Sequence, residues 1–472
     1  DVIVIGGGAV GAGVALDAVS RGYSCVLLEQ HDFGKGTSSR STKLIHGGVR
    51  YLAQGNVSLV REALRERGWL LRNASALVEP LRFIIPCESL AARWYYWAGM
   101  KGYDALAGSF RIEASRGLSG SEVQAAIPGL RRTACGGVAY HDAQFDDARL
   151  LIAVLQQVAA QGGVPLNYCS VTGLLQDKSR VVGVRARDEE SGASLELMGR
   201  AVVNATGSFS DEVRQWDTAD GEAWISHSQG IHLVVDQRFL GGQDALMIPR
   251  TDDGRVLFAI PWLGRAVLGT TDTPVATASL EPRALQQEVT YLLEHFHAYL
   301  DPAPRREDVR SVFAGLRPLV KPPRDRGATS KISREHRVLA SDAGLITVLG
   351  GKWTTFRKMG ADVVDVVEQI MGVPHRHSRS DQVTLSCQPL SNPLTRAEVR
   401  QAVEREFART VEDVLSRRSR QLLLAATDSI AAADDVARWM ADELQRPAGW
   451  SQAQVDAYRT LARGYLPQFR ST

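Results

Sequence analysis

The chain opens with Asp1-Val-Ile-Val-Ile-Gly-Gly-Gly-Ala-Val-Gly11, a β-branched run that leads directly into a glycine-rich turn. Hydrophobic spacing predicts a buried strand over Val2–Ile5, a helix over Ala9–Arg21 and a second strand over Cys25–Leu28. A strand, a tight turn, a helix and a parallel strand form a βαβ unit. This stretch therefore predicts an α/β fold that begins with a Rossmann-type domain.

The glycine spacing in this turn is typical of a dinucleotide-binding site. Gly6 permits the tight turn, Gly8 lets a pyrophosphate approach the backbone, and Gly11 lets the helix pack closely. The positive end of the helix then faces the phosphates. Glu29 ends the second strand, where an acidic side chain accepts hydrogen bonds from a ribose diol. The alternative is a glycine-rich turn in an unrelated α/β fold.

Two further stretches favour FAD over a nicotinamide nucleotide. Residues 37–51 are rich in small hydroxyl side chains and contain a Gly-Gly pair, so backbone amides can approach a bulky flat ligand. Residues 202–207, Val-Val-Asn-Ala-Thr-Gly, read as a strand that runs into a small-residue turn. Each stretch alone is also compatible with an ordinary polar turn. Together with the opening unit they predict a flavin site.

Length and composition exclude several classes of protein. A chain of 472 residues is too long for one core, so two or three domains are expected. A formal net charge of +2 gives no case for nucleic-acid binding. The five cysteines form no C-x-x-C pair, and no metal site is predicted. No apolar run reaches the roughly 18–20 residues of a membrane-spanning helix.

The order of predicted elements divides the chain into a two-part body and a helical tail. Residues 1–225, with 350–372 returning, are assigned mostly to the FAD-binding domain. Residues 226–349, with parts of 75–145, are assigned mostly to a mixed-sheet substrate domain. Residues 373–393 read as a linker, and 394–472 as a C-terminal all-helical cap domain. Helices are also predicted over 57–79, 147–161 and 283–299, with a hairpin over 181–198 and capping boxes at Thr395–Glu398 and Ser451–Gln454.

The phrase Thr37-Ser-Ser-Arg-Ser-Thr-Lys-Leu-Ile-His-Gly-Gly-Val-Arg-Tyr-Leu52 resembles the flavin-side signature of FAD-dependent glycerol-3-phosphate dehydrogenases. The resemblance continues, in the family's order, through Phe145–Arg149, Asn204–Gly207, Gly269–Asp272, Gly315–Pro318 and Gly350–Thr355. The tail, with Glu412-Asp-Val-Leu-Ser-Arg-Arg418, is similar to the family's C-terminal domain. The resemblance covers nearly the whole chain.

This resemblance implies non-covalent FAD, oxidation of glycerol 3-phosphate in a D-amino-acid-oxidase-like body, and electron delivery to a membrane quinone. It places the cofactor-binding residues at Gly6, Gly8, Gly11, Glu29, Gln30, Thr37, Ser38, Ser39, Lys43, Leu44, His46, Gly47, Gly48, Val171, Gly207, Gly351, Lys352 and Thr354. It places the substrate-facing residues at Arg50, Tyr51, His232, Thr270, Arg317 and Arg334.

The chemistry of alcohol oxidation assigns roles to some of these residues. The reaction needs a hydride acceptor, which the flavin supplies, a proton acceptor and a cation near the developing alkoxide. His232 is the candidate base, because the usual pKa of histidine lies near neutrality. The forked guanidinium of Arg317 suits an alkoxide or a phosphate. Arg50 and Arg334 are the candidate phosphate pair, and Lys352 would favour an anionic reduced flavin.

Rival functions remain open at the level of sequence. One is a glycerol-3-phosphate oxidase that uses oxygen, and another is a flavin amine or amino-acid oxidase. The third, a flavin-binding module without turnover, is disfavoured by His232, Arg317 and Lys352 together. Residues 93–103 form an aromatic cluster with flanking cations, which suits either a peripheral membrane contact or a core helix. We expect a cytoplasmic protein, peripheral on the inner face of the cytoplasmic membrane, and a homodimer is left open.

Overall fold

The computed structural model describes residues 1–52, 55–131, 135–217, 222–321 and 336–467, without the side chains of Arg50 and Tyr51. The strands of these residues are β1 Val2–Ile5, β2 Cys25–Leu28, β3 Leu44–Ile45, β4 Val78–Pro86, β5 Arg116–Leu118, β6 Gly137–Phe145, β7 Val164–Leu166, β8 Cys169–Asp177, β9 Arg180–Asp188, β10 Ser194–Met198, β11 Ala201–Asn204, β12 Ile225–Asp236, β13 Ala245–Ile248, β14 Leu257–Trp262, β15 Arg265–Gly269, β16 Thr273–Val275, β17 Ser311–Val320, β18 Arg337–Ala340 and β19 Leu345–Leu349.

The helices of the same residues are α1 Ala9–Ser20, α2 Val49–Leu52, α3 Val57–Asn73, α4 Leu90–Ala107, α5 Gly120–Ala126, α6 Asp147–Ala160, α7 Ser210–Arg214, α8 Gln286–Tyr299, α9 Phe356–Met371, α10 Arg396–Arg405, α11 Gln421–Leu424, α12 Ala426–Glu443 and α13 Trp450–Ala462. A π-helical segment, Asp413–Arg418, lies between α10 and α11. No helix in the described ranges is both long and apolar enough to cross a membrane.

The first sheet carries the predicted opening unit. Its order is β18-β19-β11-β1-β2-β7, and β1 runs parallel to both β2 and β11. All four residues of β1 are buried, as expected for a parallel strand covered on both faces. The predicted α/β fold is confirmed. The return of β19 to this sheet brings residues 345–371 beside the opening unit.

The second sheet is mixed and larger. Its path is β16-β12-β15-β14-β13-β4-β6-β3, with β17 paired to β12 and β5 paired to β6. Parallel pairing of β13 with β4 joins the segment 225–320 to the segment 78–145. A separate three-stranded sheet, β10-β9-β8, contains the predicted hairpin. The body therefore consists of two large sheets, to which the chain contributes strands in alternating groups, and one small three-stranded sheet.

Helices α1 and α9 cross in unusually close contact. A Cβ at Gly13 would lie 2.6 Å from the Phe356 carbonyl oxygen, and one at Gly360 would lie 2.3 Å from the Gly13 carbonyl oxygen. Such distances leave no room for a side chain. The two glycines therefore let α9 pack directly on the helix that follows the glycine-rich turn.

The C-terminal helices dock on the body through buried ion pairs. Arg418 forms a two-pronged ion pair with Asp32, with nitrogen–oxygen distances of 2.6 and 2.8 Å, and Arg417 also contacts Asp32. Burial alone would raise the pKa of Asp32, but the charges of Arg418 and Arg417 outweigh it and lower that pKa to about 2. The ion pairs of Asp32 thus anchor the tail beside the loop that follows Glu29.

Several predicted boundaries are wrong for tertiary reasons. The helix predicted over 57–79 ends at Asn73, because residues from Val78 onward pair with β6. Strand β8 was not predicted, and its partner is β9. The capping box at Thr395–Glu398 is confirmed. The one at Ser451–Gln454 is wrong, because Gly449 precedes the first turn of α13 and the Ser451 hydroxyl donates to the Ala437 carbonyl.

Candidate functional site

The glycine-rich turn is held by contacts that exclude side chains. Gly6 has a φ of +106°, and a Cβ there would lie 2.7 Å from the Ala205 carbonyl oxygen. A Cβ at Gly11 would lie 1.9 Å from the Gly6 carbonyl oxygen. The Ala9 amide donates to Ser38 Oγ at 2.9 Å, which ties the residue 37–39 loop to the first turn of α1. The turn therefore presents backbone at the end of β1.

Glu29 is engaged with the turn itself. Its carboxylate accepts hydrogen bonds from the Gly7 amide at 2.7 Å and the His31 amide at 2.9 Å. Burial raises the pKa of Glu29, and the two amide hydrogen bonds oppose that rise. The side chain still lines the groove that starts at this turn. A carboxylate at this place in a βαβ unit suits recognition of a ribose diol.

A long groove runs along the ends of β1, β2 and β11. It passes from Glu29 and Val171, past the N-terminus of α1, to Lys352 and Trp353. Ten predicted cofactor residues line it: Gly6, Gly8, Glu29, Gln30, Thr37, Ser38, Val171, Gly207, Gly351 and Lys352. Towards Lys352, the groove is lined by Gly207, Gly350 and Gly351, which have positive φ values. Because these residues have no side chains, backbone forms this part of the wall. An elongated dinucleotide with a flat ring system fits this shape.

Lys43 does not line the groove. Its side chain is fully buried, and its ammonium donates to Asp147 Oδ2 at 2.6 Å and to the Ser39 carbonyl at 2.8 Å. Burial lowers the pKa of Lys43 to about 7, while the charge of Asp147 opposes that decrease. The Ser39 carbonyl also accepts from Arg420. Lys43 and Ser39 therefore support the cofactor loop from behind.

A second pocket begins beside the groove, on the other face of β17. Leu316 and Pro318 face the groove, and Arg317 between them faces the pocket. The pocket lining includes five residues predicted from sequence: Leu44, His46, Gly48, Thr270 and Arg317. It also includes Thr42, Phe83, Tyr140, Asp142, Met247, Arg255, Phe258, Thr271 and Asp272. The site therefore joins a long groove to a polar pocket with two arginines.

Arg317 is held by the turn that follows β15. Its guanidinium donates to Thr270 Oγ1 at 3.1 Å and to the Thr271 carbonyl at 3.1 Å, and lies 3.5 Å from Asp272 Oδ1. The backbone of Gly230 packs so closely that a Cβ there would lie 2.3 Å from the guanidinium. This fixes the fork of Arg317 in the pocket beside Thr270.

His232 lies behind the pocket and not in its wall. Its Nε2 lies 3.0 Å from Thr42 Oγ1, and its ring stacks on Phe313. Burial and the positive charges of Arg317 and Lys43 lower the pKa of His232 well below its usual range. The expectation of a pKa near neutrality is therefore wrong, because the ring is desolvated between cations. Thr42 connects the buried imidazole to the pocket.

The remaining predicted residues have supporting positions or lie outside the described part. The Gly47 amide donates to Tyr103 Oη at 2.8 Å, and Thr354 Oγ1 lies within 3.4 Å of the His46 backbone. Gly11 packs against the turn. Arg334 lies outside the described residues. The backbone of Arg50 and Tyr51 belongs to α2, but their side chains are not described.

Sequence reasoning missed two features of this site. Thr42 and Arg255 line the second pocket. The residues around each of them are also mostly polar or charged, so neither stands out in the sequence. The other feature is a strap, which we define as residues 279–282; Ser279, Leu280 and Pro282 line the groove. A signal for Arg255 exists, since it lies just before a predicted strand. No local pattern indicates the strap.

The strap is tied to both the cofactor loop and the C-terminal helices. Arg40 donates to Glu281 Oε1 at 2.6 Å, and Tyr465 Oη donates to Glu281 Oε2 at 3.1 Å. Arg283 donates to the Leu461 carbonyl and lies over the Tyr465 ring. One carboxylate thus joins three parts of the chain at the groove.

Two regions of the chain match known protein families. Residues 1–357 match the family described as FAD dependent oxidoreductase. Residues 360–455 match the family described as the C-terminal domain of alpha-glycerophosphate oxidase. The boundary between the two matches falls near the start of α9.

The curated relatives are named as glycerol-3-phosphate dehydrogenases. A mitochondrial one from Arabidopsis thaliana is 41% identical over 379 residues, 77% of this chain and 60% of the relative. The human mitochondrial one is 41% identical over 381 residues, 77% of this chain and 52% of the relative. A probable mitochondrial one from Caenorhabditis elegans is 35% identical and covers 99% of this chain and 73% of the relative. The chain thus spans little more than half the length of several relatives.

Solved structures show the same architecture. A glycerol-3-phosphate dehydrogenase from Bacillus halodurans, complexed with FAD, aligns with a TM-score of 0.80 and 27% identity, over 100% of this chain and 96% of that one. An L-alpha-glycerophosphate oxidase from Mycoplasma pneumoniae aligns with a TM-score of 0.61 over 78% of this chain and 94% of that one. Its identity is 18%, so it supports the fold alone.

Proposed function

Because the chain belongs to the FAD-dependent oxidoreductase family, we propose that it oxidises sn-glycerol 3-phosphate to dihydroxyacetone phosphate. The observation that carries this proposal is the pocket beside the cofactor groove, which contains Arg255, Arg317 and Thr270. Cations beside a hydride acceptor suit an anionic alcohol. The names of the relatives support the same substrate.

The groove residues would hold FAD, which supplies hydride acceptance when bound. Backbone at Gly6 and Gly8 meets the pyrophosphate, Glu29 meets the ribose, and Lys352 lies toward the ring end. The groove suits FAD because glycines form part of its wall. A side chain at Gly6 or Gly11 would collide with neighbouring backbone, so both positions require glycine. We propose that FAD is bound non-covalently.

In the pocket, Arg317 would stabilise the alkoxide that develops as the substrate hydroxyl loses its proton. Thr42 Oγ1 lies between the pocket and His232 Nε2, so it can pass that proton to the neutral imidazole. Burial and the nearby cations lower the pKa of His232, so the ring is neutral at pH 7. The neutral ring is the form that can accept the proton, and the same lowered pKa makes it a weaker base than a free imidazole. We retain Arg50 and Arg334 as phosphate ligands and Tyr51 as a substrate contact, on the resemblance alone.

Quinone is the proposed electron acceptor, and oxygen is the second candidate. The match of residues 360–455 to a domain named for an oxidase favours testing oxygen directly. A flavin amine or amino-acid oxidase is less well supported, because two pocket arginines suit a dianion better than a single carboxylate. Reoxidation of the reduced protein by oxygen and by a soluble quinone separates the two acceptors.

Helix α4 is the proposed membrane contact. Trp94 and Tyr95 expose 66% and 69% of their surface, whereas Met100 and Tyr103 on the opposite face are buried. Residues 93–103 were expected to form either a membrane contact or a core helix. The helix has features of both, because one face packs in the core and the other exposes aromatic side chains to solvent. We propose a peripheral protein at the inner face of the cytoplasmic membrane, and we retain a homodimer as a proposal.

The test is anaerobic reduction of the purified protein by glycerol 3-phosphate. The purified protein should be yellow, and acid should release FAD. The absorption band of the oxidised flavin, at about 450 nm, should bleach when glycerol 3-phosphate is mixed in. Glycine and proline serve as amino-acid controls. Bleaching by an amino acid but not by glycerol 3-phosphate would reject the proposed substrate.

A further inference from the structure

We propose that Arg255 binds the substrate phosphate and sets the preference for a phosphorylated over an unphosphorylated alcohol. The inference rests on the proposed function and deepens it. Arg255 lies just before β14 and lines the pocket together with Arg317 and Thr270. Its position, its contacts and the charge balance of the pocket carry the proposal.

The sheet register brings Arg255 to the same end of the sheet as Thr270. Phe258 of β14 pairs with Gly269 of β15, and β15 then leads directly into Thr270. Residues before Phe258 therefore lie at the same end of the strand pair as the turn after Gly269. On the other side, Arg317 pairs with Ser228 of β12. The two arginines approach this end of the sheet from different strands.

Arg255 is held by Asp253 and Tyr291, which are not among the residues that line the pocket. Its Nε lies 3.1 Å from Asp253 Oδ2, and its guanidinium lies over the Tyr291 ring, 5.1 Å from the centroid. Tyr291 Oη donates to Asp253 Oδ1 at 3.0 Å, which fixes that carboxylate. Among the described residues, these two contacts are the ones its guanidinium makes. Its terminal nitrogens thus remain available for a ligand.

The charge balance of the pocket calls for a second cation. Arg317 lies 3.5 Å from the Asp272 carboxylate, which offsets part of its charge. Asp142, the other lining carboxylate, is neutralised by Arg67 at 2.6 Å. A phosphate monoester carries about −1.5 to −2 charges at pH 7. Arg255 is the second arginine among the described lining residues; Asp253 engages its Nε and offsets part of its charge, which leaves its two terminal nitrogens to bind the phosphate.

The expected signature is a binding defect. A phosphate contact remote from the reacting carbon acts alike in the ground state and the transition state, so its loss raises KM more than it lowers kcat. A hydrogen bond to a charged group is worth roughly 1.5–3 kcal/mol, which corresponds to about 10- to 150-fold. Arg317, which faces the alcohol in our assignment, should show the opposite split.

The experiment measures anaerobic flavin reduction of the holoenzyme by glycerol 3-phosphate and by glycerol. Arg255→Gln should raise the half-saturating glycerol 3-phosphate concentration by about 10- to 150-fold, leave the limiting rate within a few-fold, and leave the glycerol reaction unchanged. Arg255→Lys should be intermediate, because it keeps the charge and loses the fork. Arg238→Gln, an exposed arginine paired with Asp308, is the matched control.

A second readout does not depend on turnover. Dihydroxyacetone phosphate titrated into the oxidised holoenzyme perturbs the flavin absorption, and its Kd should rise in Arg255→Gln by the same factor. Tyr291→Phe should raise this Kd by a smaller factor, because Asp253 is then less firmly held. Equal slowing of glycerol and glycerol 3-phosphate, or unchanged half-saturation, would overturn the role of Arg255. Failure of the parent protein to react with glycerol 3-phosphate would instead reject the proposed function.

Discussion

At the scale of single residues, burial changes the roles that the sequence alone suggests. The family resemblance places Lys43 near FAD and His232 near the substrate, yet Lys43 is neutralised by Asp147 behind the cofactor loop. His232 is screened from the pocket by Thr42. Removing a charge or an imidazole from water favours its neutral form. The imidazole is therefore held in its neutral form at neutral pH, and its lowered pKa makes it a weaker base than a free imidazole.

His232→Ala should slow anaerobic flavin reduction by about 10²–10⁴-fold, the usual contribution of a general base. The base works in its unprotonated form, and burial lowers its pKa. The parent rate should therefore stay level around pH 7 and fall as the pH decreases through the lowered pKa; the variant should lose this acid limb. Thr42→Val should share the defect. A parent-like rate and pH profile in His232→Ala would assign the proton to another group.

At the scale of elements, close helix packing holds the cofactor turn in place. The crossing of α1 and α9 depends on Gly13 and Gly360, whose backbones touch. The same α9 begins directly after Lys352 and Trp353, which line the groove. A shift of α9 would therefore move both ends of the cofactor site together.

Gly360→Ala should lower the free energy of unfolding by about 1–3 kcal/mol, the usual cost of overpacking. Alanine favours a helix by about 1 kcal/mol over glycine, but its Cβ would lie 2.3 Å from a backbone oxygen that cannot move aside. Gly102→Ala in α4 is the control, because no atom lies within 4 Å of its Cβ position. Thermal unfolding of both holoproteins gives the comparison. Equal or higher stability of Gly360→Ala would show that the crossing can relax.

At the scale of the whole molecule, the C-terminal helices support the cofactor groove. Arg420 donates to the Ser39 carbonyl, Arg417 and Arg418 hold Asp32, and Tyr465 holds the strap through Glu281. Two of these sets of contacts reach the loop that follows Glu29, and the third reaches the strap. The tail is therefore expected to act on FAD retention as well as on stability.

Glu281→Gln should weaken FAD binding by about 10-fold or more, because one charged hydrogen bond to Arg40 is lost. The measurement is the Kd of FAD for the apoprotein, read from flavin fluorescence during reconstitution. Tyr465→Phe should weaken binding less, and the double variant should show coupling between the two positions. Glu307→Gln, an exposed glutamate, is the control. Unchanged FAD affinity in Glu281→Gln would separate the strap from cofactor retention.

The exposed face of α4 gives a second prediction at this scale. The double variant Trp94→Ser, Tyr95→Ser should reduce co-sedimentation with anionic liposomes by about 10-fold or more, because each large side chain contributes roughly 1.5–3 kcal/mol on burial. Dye-linked activity should be retained. Met198→Ser is the control, because the Met198 side chain is 69% exposed and lies on β10, not on α4. Equal co-sedimentation of all three proteins would remove α4 as the membrane contact.

The sequence by itself determined the features that depend on neighbouring residues. Val2–Ile5, the glycine turn, α1 and Cys25–Leu28 follow from short-range patterns, and the structure has the predicted strands at those bounds. Ten of the predicted cofactor residues line the groove: Gly6, Gly8 and Glu29 were predicted from the local pattern, and others such as Val171 from the family resemblance. The family resemblance extended these predictions to the pocket residues Thr270 and Arg317.

Only the tertiary structure decided the features that depend on distant partners. Lys43 meets Asp147 across 104 positions, and Thr42 meets His232 across 190. Arg255 joins Arg317 because β12, β14, β15 and β17 share one sheet. The strap reaches the groove because Glu281 binds both Arg40 and Tyr465. Such contacts depend on how the sheets and helices pack, and no local periodicity encodes which distant side chains then meet.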